Sequence, residues 1–144
     1  MNILARIGSL MAGLVALVHV GISIVEMFFW KNPLVYDRLN HLFSPDVAIK
    51  AASIVANAGL YNGFIAAGLS WGLVARGNQF SIRVFFLTCV IVAGIFGTVT
   101  LETGGPLVLQ TVPGTIALLL VWLSRSMAAT RAIPGRQSRT DYSQ

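Results

Sequence analysis

A histidine and a glutamate lie in one otherwise apolar stretch near the N-terminus of the chain. They are His19 and Glu26, with Ser23 between them. Two turns of an α-helix take about 7.2 residues, so a helix would hold these side chains on one face. An imidazole and a carboxyl group on one face can move protons as a general acid and a general base. His19 and Glu26 are therefore the predicted catalytic pair.

Amide and aromatic side chains in other apolar stretches could orient a ligand beside that pair. An amide both donates and accepts hydrogen bonds, so it suits a carbonyl or a hydroxyl group of a ligand. Polar side chains are costly inside a membrane span, which makes them functional candidates by default. The predicted ligand-binding residues are Asn57, Tyr61, Asn62, Gln110, Trp30 and Glu102.

A structural interpretation of the same residues stays open. Asn57, Asn62 and Gln110 could bond across helices and hold a bundle together. Glu26 could reach the membrane surface or pair with Lys31. The ring nitrogens of His19 could form hydrogen bonds to a neighbouring helix.

The elements that must position these groups follow from the composition. Hydrophobic residues make up 56% of the 144 residues and charged residues only 10%, whereas a soluble domain has about a quarter charged residues. Four apolar stretches are each close to the ~20 residues that a helix needs to cross the hydrocarbon core. Backbone groups in lipid must bond within their segment, so helices are predicted rather than strands. The prediction is an all-α, four-helix transmembrane bundle within residues 1–126, with spans at about 7–30, 51–75, 84–101 and 104–124.

Positively charged residues set the expected orientation. The N-terminus, the loop after the second span and the C-terminal tail hold seven arginines, against three Lys or Arg residues on the opposite side. The positive-inside rule therefore predicts that both termini are cytoplasmic. Residues 127–144 are polar and are predicted to form a disordered tail. Residues 31–50 form the longest connection, in which Leu34–Phe43 is a candidate interfacial helix.

Depth estimates bring polar residues of three spans to a similar level. At a rise of ~1.5 Å per residue, Glu26 and His19 lie roughly 6 Å and 16 Å below the outer end of the first span. Asn57 lies roughly 10 Å below the outer end of the second span, and Gln110 roughly 12 Å below that of the fourth. These depths predict one polar pocket in the outer half of the membrane, covered by the 31–50 connection.

Small residues in the second span predict close helix packing. Gly59 and Gly63 form a GxxxG pair, which lets helix backbones approach each other in lipid. The pair could serve the bundle itself or a homo-oligomer. In the fourth span, Pro113 is predicted to kink the helix, because proline removes one backbone hydrogen bond.

Several functional classes lack their residues in this sequence. The available metal ligands are His19, Glu26, His41 and Glu102, without HxxxH or HExxH spacing, so no metal site is predicted. No phosphate-binding loop, dinucleotide fingerprint or nucleophile elbow occurs, and no cofactor is expected. The formal net charge is +5, with four arginines after residue 124. Arginines beside a membrane helix favour contact with anionic membrane lipids, and no nucleic-acid partner is expected.

Three short motifs are similar to those of a known family of small bacterial membrane proteins, domain-of-unknown-function family 1304. The resemblance covers roughly residues 5–124. It implies a four-helix integral membrane protein, and we expect it in the bacterial inner membrane. The motifs are His19 with Glu26–Trp30, the run Asn57–Phe64, and Gln110 with Pro113.

Two positions depart from the pattern of that family. Val18 precedes the histidine where a glutamate is frequent, and Ala58 precedes Gly59 where a glutamine is frequent. The first departure weakens a proton relay through a paired glutamate and histidine. The second makes the expected pocket less polar.

Three functional hypotheses follow from these observations. The leading one is a membrane protein that binds an apolar or lipid-like molecule with one polar end. Such a protein could act on that molecule by proton transfer, as an isomerase, cyclase or hydrolase does. The second is an oligomeric transporter or ion pathway, built through Gly59 and Gly63, although few polar residues continue into the inner half. The third is a non-catalytic accessory subunit of a membrane complex.

Overall fold

All regular secondary structure in the described part of the chain is helical. The computed structural model describes residues 3–36 and 44–131. The first span is α1 (Ile3–Ile24), continued by a π-helical segment (Val25–Phe29), and two short helices follow it, α2 (Pro33–Tyr36) and α3 (Pro45–Lys50). The remaining elements are α4 (Ala52–Val74), α5 (Gln79–Leu101), a second π-helical segment (Leu107–Thr111) and α6 (Val112–Arg131).

Four helical stretches are long and apolar enough to cross a membrane, by their length and composition. They are Ile3–Phe29, Ala52–Val74, Gln79–Thr100 and Leu107–Thr130. The predicted all-α four-helix membrane bundle is therefore confirmed. The side of the membrane on which the termini lie stays a prediction.

The four spans form a closed ring in which each span packs against two neighbours. A Cβ atom added at Gly8 would lie 3.2 Å from the backbone nitrogen of Val121, so the start of the first span meets the end of the fourth. A Cβ atom at Gly59 would lie 2.9 Å from Cβ of Glu26, so the end of the first span meets the first half of the second. Successive spans therefore run antiparallel. The end of the bundle that holds Glu26 is called the site end below.

Aliphatic side chains fill the middle of the bundle. Each member of this apolar core cluster is at most 4% exposed, as expected for interiors packed to crystal density. The buried polar residues within the described ranges are His19 and Ser23, which lie on the site-end side of the cluster. The cluster consists of Val15, Ala16, Leu69, Leu87, Val90, Ala117 and Val121.

Gly59 and Gly63 of the second span face the first span. A Cβ atom at Gly59 would lie 2.8 Å from Cγ of Met27, and one at Gly63 would lie 3.2 Å from Oγ of Ser23. A larger residue at Gly59 would therefore force the two helices apart. Gly59 and Gly63 therefore serve packing within the bundle. A homo-oligomer through the same pair stays a prediction.

The distortion expected at Pro113 takes the form of π-helical geometry. Pro113 has no N–H group to donate, and its ring crowds the carbonyl group of Leu109 one turn earlier. The segment Leu107–Thr111 before it is π-helical. A π-helical turn holds an additional residue, so it relieves that crowding and changes the direction of the side chains that follow.

The third span begins earlier than residue 84, the start predicted from the position of Arg83. It starts at Gln79 and includes Arg83. The guanidinium group of Arg83 donates from Nε to the Gln79 carbonyl oxygen at 3.1 Å and from Nη1 to the Ser9 hydroxyl at 3.0 Å. These bonds explain how an arginine is accommodated inside the helix.

The two polar segments differ from expectation where they are described. The last helix continues to Arg131, beyond residue 126, where the bundle was predicted to end. The connection after the first span begins with the single helical turn Pro33–Tyr36. Residues 37–43 and 132–144 lie outside the described residues, and with them most of the predicted interfacial helix and most of the predicted tail.

Candidate functional site

A cavity of about 460 Å³ lies at the site end and receives side chains from all four spans. Most of its wall is apolar. The exceptions are Glu26, Thr103 and Gln110, together with the amphipathic ring of Trp30. An apolar pocket with a few polar groups is the usual form of a small-molecule site. The rest of the wall consists of Ile22, Ala48, Ala51, Val55, Ala58, Leu101, Gly105, Pro106 and Leu109.

Glu26 is held by an amide from the neighbouring span. The Asn62 side chain donates from Nδ2 to Oε2 of Glu26 at 2.9 Å, and it also donates to the Ala58 carbonyl oxygen at 3.3 Å. The close approach is possible because Gly59 has no side chain at the point where the two helices touch. The second carboxylate oxygen of Glu26 has no hydrogen bond to any of the described residues. The carboxyl group is therefore fixed in direction and still able to accept from a ligand.

Trp30 links the end of the first span to the short helix α3. Its indole Nε1–H donates to the Ala48 carbonyl oxygen at 2.8 Å. Ala48 is only 2% exposed, so this contact anchors α3 over the cavity. The predicted cover of the pocket is thus present in residues 45–50, whereas residues 37–43 lie outside the described residues.

Gln110 reaches the cavity from the second π-helical segment. Its neighbour Thr111 packs against Gly94 of the third span, where a Cβ atom would lie 2.8 Å from the Thr111 backbone nitrogen and 3.0 Å from Cβ of Gln110. The hydroxyl group of Thr111 is buried and has no hydrogen-bond partner among the residues described. Gly94 therefore sets how closely Gln110 and its segment approach the third span.

His19 is not part of the cavity wall. It is only 2% exposed, and its Nδ1–H donates to the Val15 carbonyl oxygen at 2.8 Å. No hydrogen bond joins it to Glu26 in the described ranges. A spacing of seven residues keeps two side chains on one face but separates them by about 10 Å along the axis. The structure thus does not bring the predicted acid–base pair together, and it gives Glu26 an amide partner instead.

Asn57 and Tyr61 point away from the cavity. Asn57 is exposed on the outer surface of the bundle, and Tyr61 is 60% exposed with its ring 6.0 Å from that of Phe64. Positions 57 and 62 are about 140° apart on a helical wheel, so only one of the two asparagines can face inward. This angle can be read from the sequence, and it distinguishes the inward-facing Asn62 from the exposed Asn57.

Glu102 does not line the cavity either. It is exposed and adopts a left-handed backbone conformation, with φ of 52°, at the end of α5. That conformation ends helices, and glycine adopts it more easily than other residues. Glu102 is therefore part of the turn between the third and fourth spans.

A second pocket adjoins Glu26 at the rim of the bundle. It has a volume of about 420 Å³ and is bordered by Glu26, Trp30, Lys31 and Ser53, among others. Lys31 is exposed, and no ion pair between it and Glu26 is formed within the described ranges. The predicted pairing of Glu26 with Lys31 is therefore absent there. Glu26 therefore borders both the rim pocket and the apolar cavity.

Metal ligands do not converge on either pocket. No group of three His, Cys, Asp or Glu side chains lies close enough to hold an ion within residues 3–36 and 44–131. His41, one of the available ligands in the sequence, lies outside these residues.

Several wall residues were not selected from the sequence. Ala48, Ala51, Val55 and Thr103 border the cavity, and apolar or small side chains at these positions give no chemical signal. Ala58 is an exception, because it is the position at which the motif of the second span departs from the family pattern. A small residue there widens the cavity and leaves this part of its wall apolar.

Comparison with known proteins agrees with the motifs. The model of the family described as "Protein of unknown function (DUF1304)" matches residues 13–122, more than half of the chain. The matched residues include parts of all four spans. No curated protein and no solved structure matches the chain.

Proposed function

We propose that this chain, which belongs to the DUF1304 family, binds an apolar molecule with one polar end in the cavity beside Glu26. The supporting observation is the cavity itself, which combines a mostly apolar wall with the polar side chains of Glu26 and Gln110. Its volume of about 460 Å³ lies within the range of about 300–1,000 Å³ that is common for small-molecule pockets. A lipid-like molecule would bury its hydrocarbon part and turn its polar end toward Glu26.

An acid–base reaction on the bound molecule is a second candidate function. The observation in its favour is a carboxyl group in the cavity wall with one oxygen fixed by Asn62 and the other free. Glu26 would be the proton-transfer group, and Asn62 would keep it in position. His19 would not take part directly, because it lies outside the cavity wall. Isomerase, cyclase and hydrolase chemistry all remain within this proposal.

Transport through a single bundle is less well supported. The apolar core cluster fills the bundle between the site end and the opposite end, where Arg83 bonds to Ser9. An ion pathway would need polar groups or water through this region. The accessory-subunit hypothesis would use the exposed outer surface and not the cavity. A location in the bacterial inner membrane, with both termini cytoplasmic, is part of the proposal.

The test is native mass spectrometry of the protein released from mild detergent after purification from native membranes. Ala58→Trp fills the cavity, because Ala58 lies in its wall. Ala67→Trp is the matched control, since Ala67 is exposed on the same helix and does not border the cavity. We expect a discrete bound molecule in the original protein and in Ala67→Trp, and none in Ala58→Trp. Equal retention in both variants would contradict the assignment of the cavity.

A further inference from the structure

Three hydrogen-bond donors beside the cavity are committed to the protein itself. The indole N–H of Trp30 donates to the Ala48 carbonyl oxygen. The two N–H groups of the Asn62 amide donate to Glu26 and to the Ala58 carbonyl oxygen. A ligand that only accepts hydrogen bonds, such as a carboxylate, would therefore depend on Gln110 and Thr103 for its donors.

The charged acceptor that remains free is a carboxylate oxygen of Glu26. Glu26 uses Oε2 for the bond from Asn62, and its other oxygen has no partner within the described ranges. None of the described residues that line the cavity is Lys, Arg or His. A carboxylate in an apolar cavity is costly unless a cation or hydrogen-bond donors accompany it. Among the described residues, only the Asn62 amide donates to Glu26, and a ligand can supply a further donor.

The Trp30 ring in the cavity wall also favours a cationic group on the ligand. Because the Trp30 N–H is occupied by Ala48, the ring can offer a ligand only its π-electron face or its edges. The face of an indole attracts cations, and it is the strongest of the aromatic side chains in this respect. Gln110 and Thr103 can each donate or accept, so they can orient a polar end without determining its charge.

We infer that the polar end of the molecule bound in this cavity is a protonated amine, so that the ligand class is a lipophilic amine. The ammonium group donates to the free oxygen of Glu26 beside the Trp30 ring, and the hydrocarbon part fills the space lined by Ile22, Val55 and Leu109. Pairing with the ligand compensates the charge of Glu26, which forms no ion pair with any of the described residues. This inference rests on the proposed function of the same cavity.

The experiment measures binding of decylamine, decanol and decanoate at neutral pH to the full chain in phosphatidylcholine nanodiscs. These probes share one hydrocarbon chain and differ in the charge of the end group, and empty nanodiscs correct for partition into lipid. We expect decylamine to bind at least about tenfold more tightly than decanol, and decanoate to bind most weakly, since hydrogen bonds between charged groups are the strong ones.

Glu26→Gln is the decisive variant, and Glu102→Gln is its control because Glu102 is exposed and outside the cavity wall. The inference predicts that Glu26→Gln reduces the preference for decylamine over decanol to about threefold or less, while decanol binding persists and shows that the fold is intact. Glu102→Gln should keep the full preference.

The outcomes separate the inference from the proposed function. If the three probes bind equally and Ala58→Trp abolishes their binding, the cavity binds apolar molecules and the inference about the amine is overturned. A preference for decylamine that survives Glu26→Gln also overturns it. If none of the probes binds more to the protein than to empty nanodiscs, the proposed function and the inference both fail.

Discussion

The two asparagines of the second span should differ sharply in their contribution to stability. Asn62 donates to the Glu26 carboxylate at 2.9 Å, whereas Asn57 is exposed and has no side-chain hydrogen bond within the described ranges. A hydrogen bond to a charged group contributes about 1.5–3 kcal/mol in soluble proteins. Bonds between membrane helices average only about 0.6 kcal/mol, with a maximum near 1.7. We therefore expect Asn62→Leu to lower the free energy of unfolding by about 1–2 kcal/mol, and Asn57→Leu to leave it nearly unchanged.

The assay is reversible unfolding by SDS in mixed micelles, followed by far-ultraviolet circular dichroism. Glu26→Leu completes a double-mutant cycle with Asn62→Leu, because it removes the acceptor that Asn62 serves. In the Glu26→Leu background, the cost of Asn62→Leu should fall below about 0.5 kcal/mol. If Asn57→Leu destabilises the protein as much as Asn62→Leu, or if the two losses at Glu26 and Asn62 simply add, then the bond between them does not hold the site together.

Two further perturbations test how the site end is built. Gly94→Ala should destabilise the bundle by about 1–3 kcal/mol, because the added Cβ meets the backbone of Thr111. Gly21→Ala is the control, since the space around Gly21 is open and the added Cβ should not destabilise the bundle. Equal SDS-unfolding midpoints for the two variants would contradict the packing described. Trp30→Phe removes the hydrogen bond to the Ala48 carbonyl oxygen. It should raise the rate at which a cysteine introduced at Ala48 reacts with a water-soluble maleimide. An unchanged rate would mean that α3 is held by other contacts.

The four spans were predictable because lipid imposes a simple rule on composition. The apolar stretches between charged residues located each helix. The ends of a helix were less predictable where the helix includes a charged side chain that forms hydrogen bonds. The prediction began the third span after Arg83, at residue 84, but the bonds of Arg83 to Gln79 and Ser9 allow the helix to begin five residues earlier, at Gln79. Ser9 belongs to another span, so this partner of Arg83 cannot be read along the chain.

The candidate site was predictable in its types of residue and less so in its geometry. Glu26 and Gln110 share a cavity at the site end, and its position in the outer half of the membrane stays a prediction. Depth alone could not separate Asn62 from Asn57, for which the helical angle was needed. The distance between His19 and Glu26 was also predictable from the rise per residue, and it argues against direct proton exchange.

The two π-helical segments explain why helical periodicity alone could not predict the direction of some side chains. A pattern based on 3.6 residues per turn loses its register where a turn contains an additional residue. Val25–Phe29 and Leu107–Thr111 are both π-helical, and each contains one of the polar residues of the cavity. Pro113 indicated the second segment, whereas no proline or glycine occurs in the first to indicate it.

The apolar core cluster also determines how an electric field is distributed along the bundle. A membrane potential acts on each elementary charge with about 2.3 kcal/mol per 100 mV, over the full thickness of the bilayer. Most of this potential drop falls across the dry middle of the bundle, where the cluster members are at most 4% exposed. A charged molecule that reaches Glu26 from the site end stops before that region and crosses only a minor part of the drop. If the cavity binds the proposed amine, its occupancy should therefore be nearly independent of voltage, unlike the passage of an ion across the whole membrane.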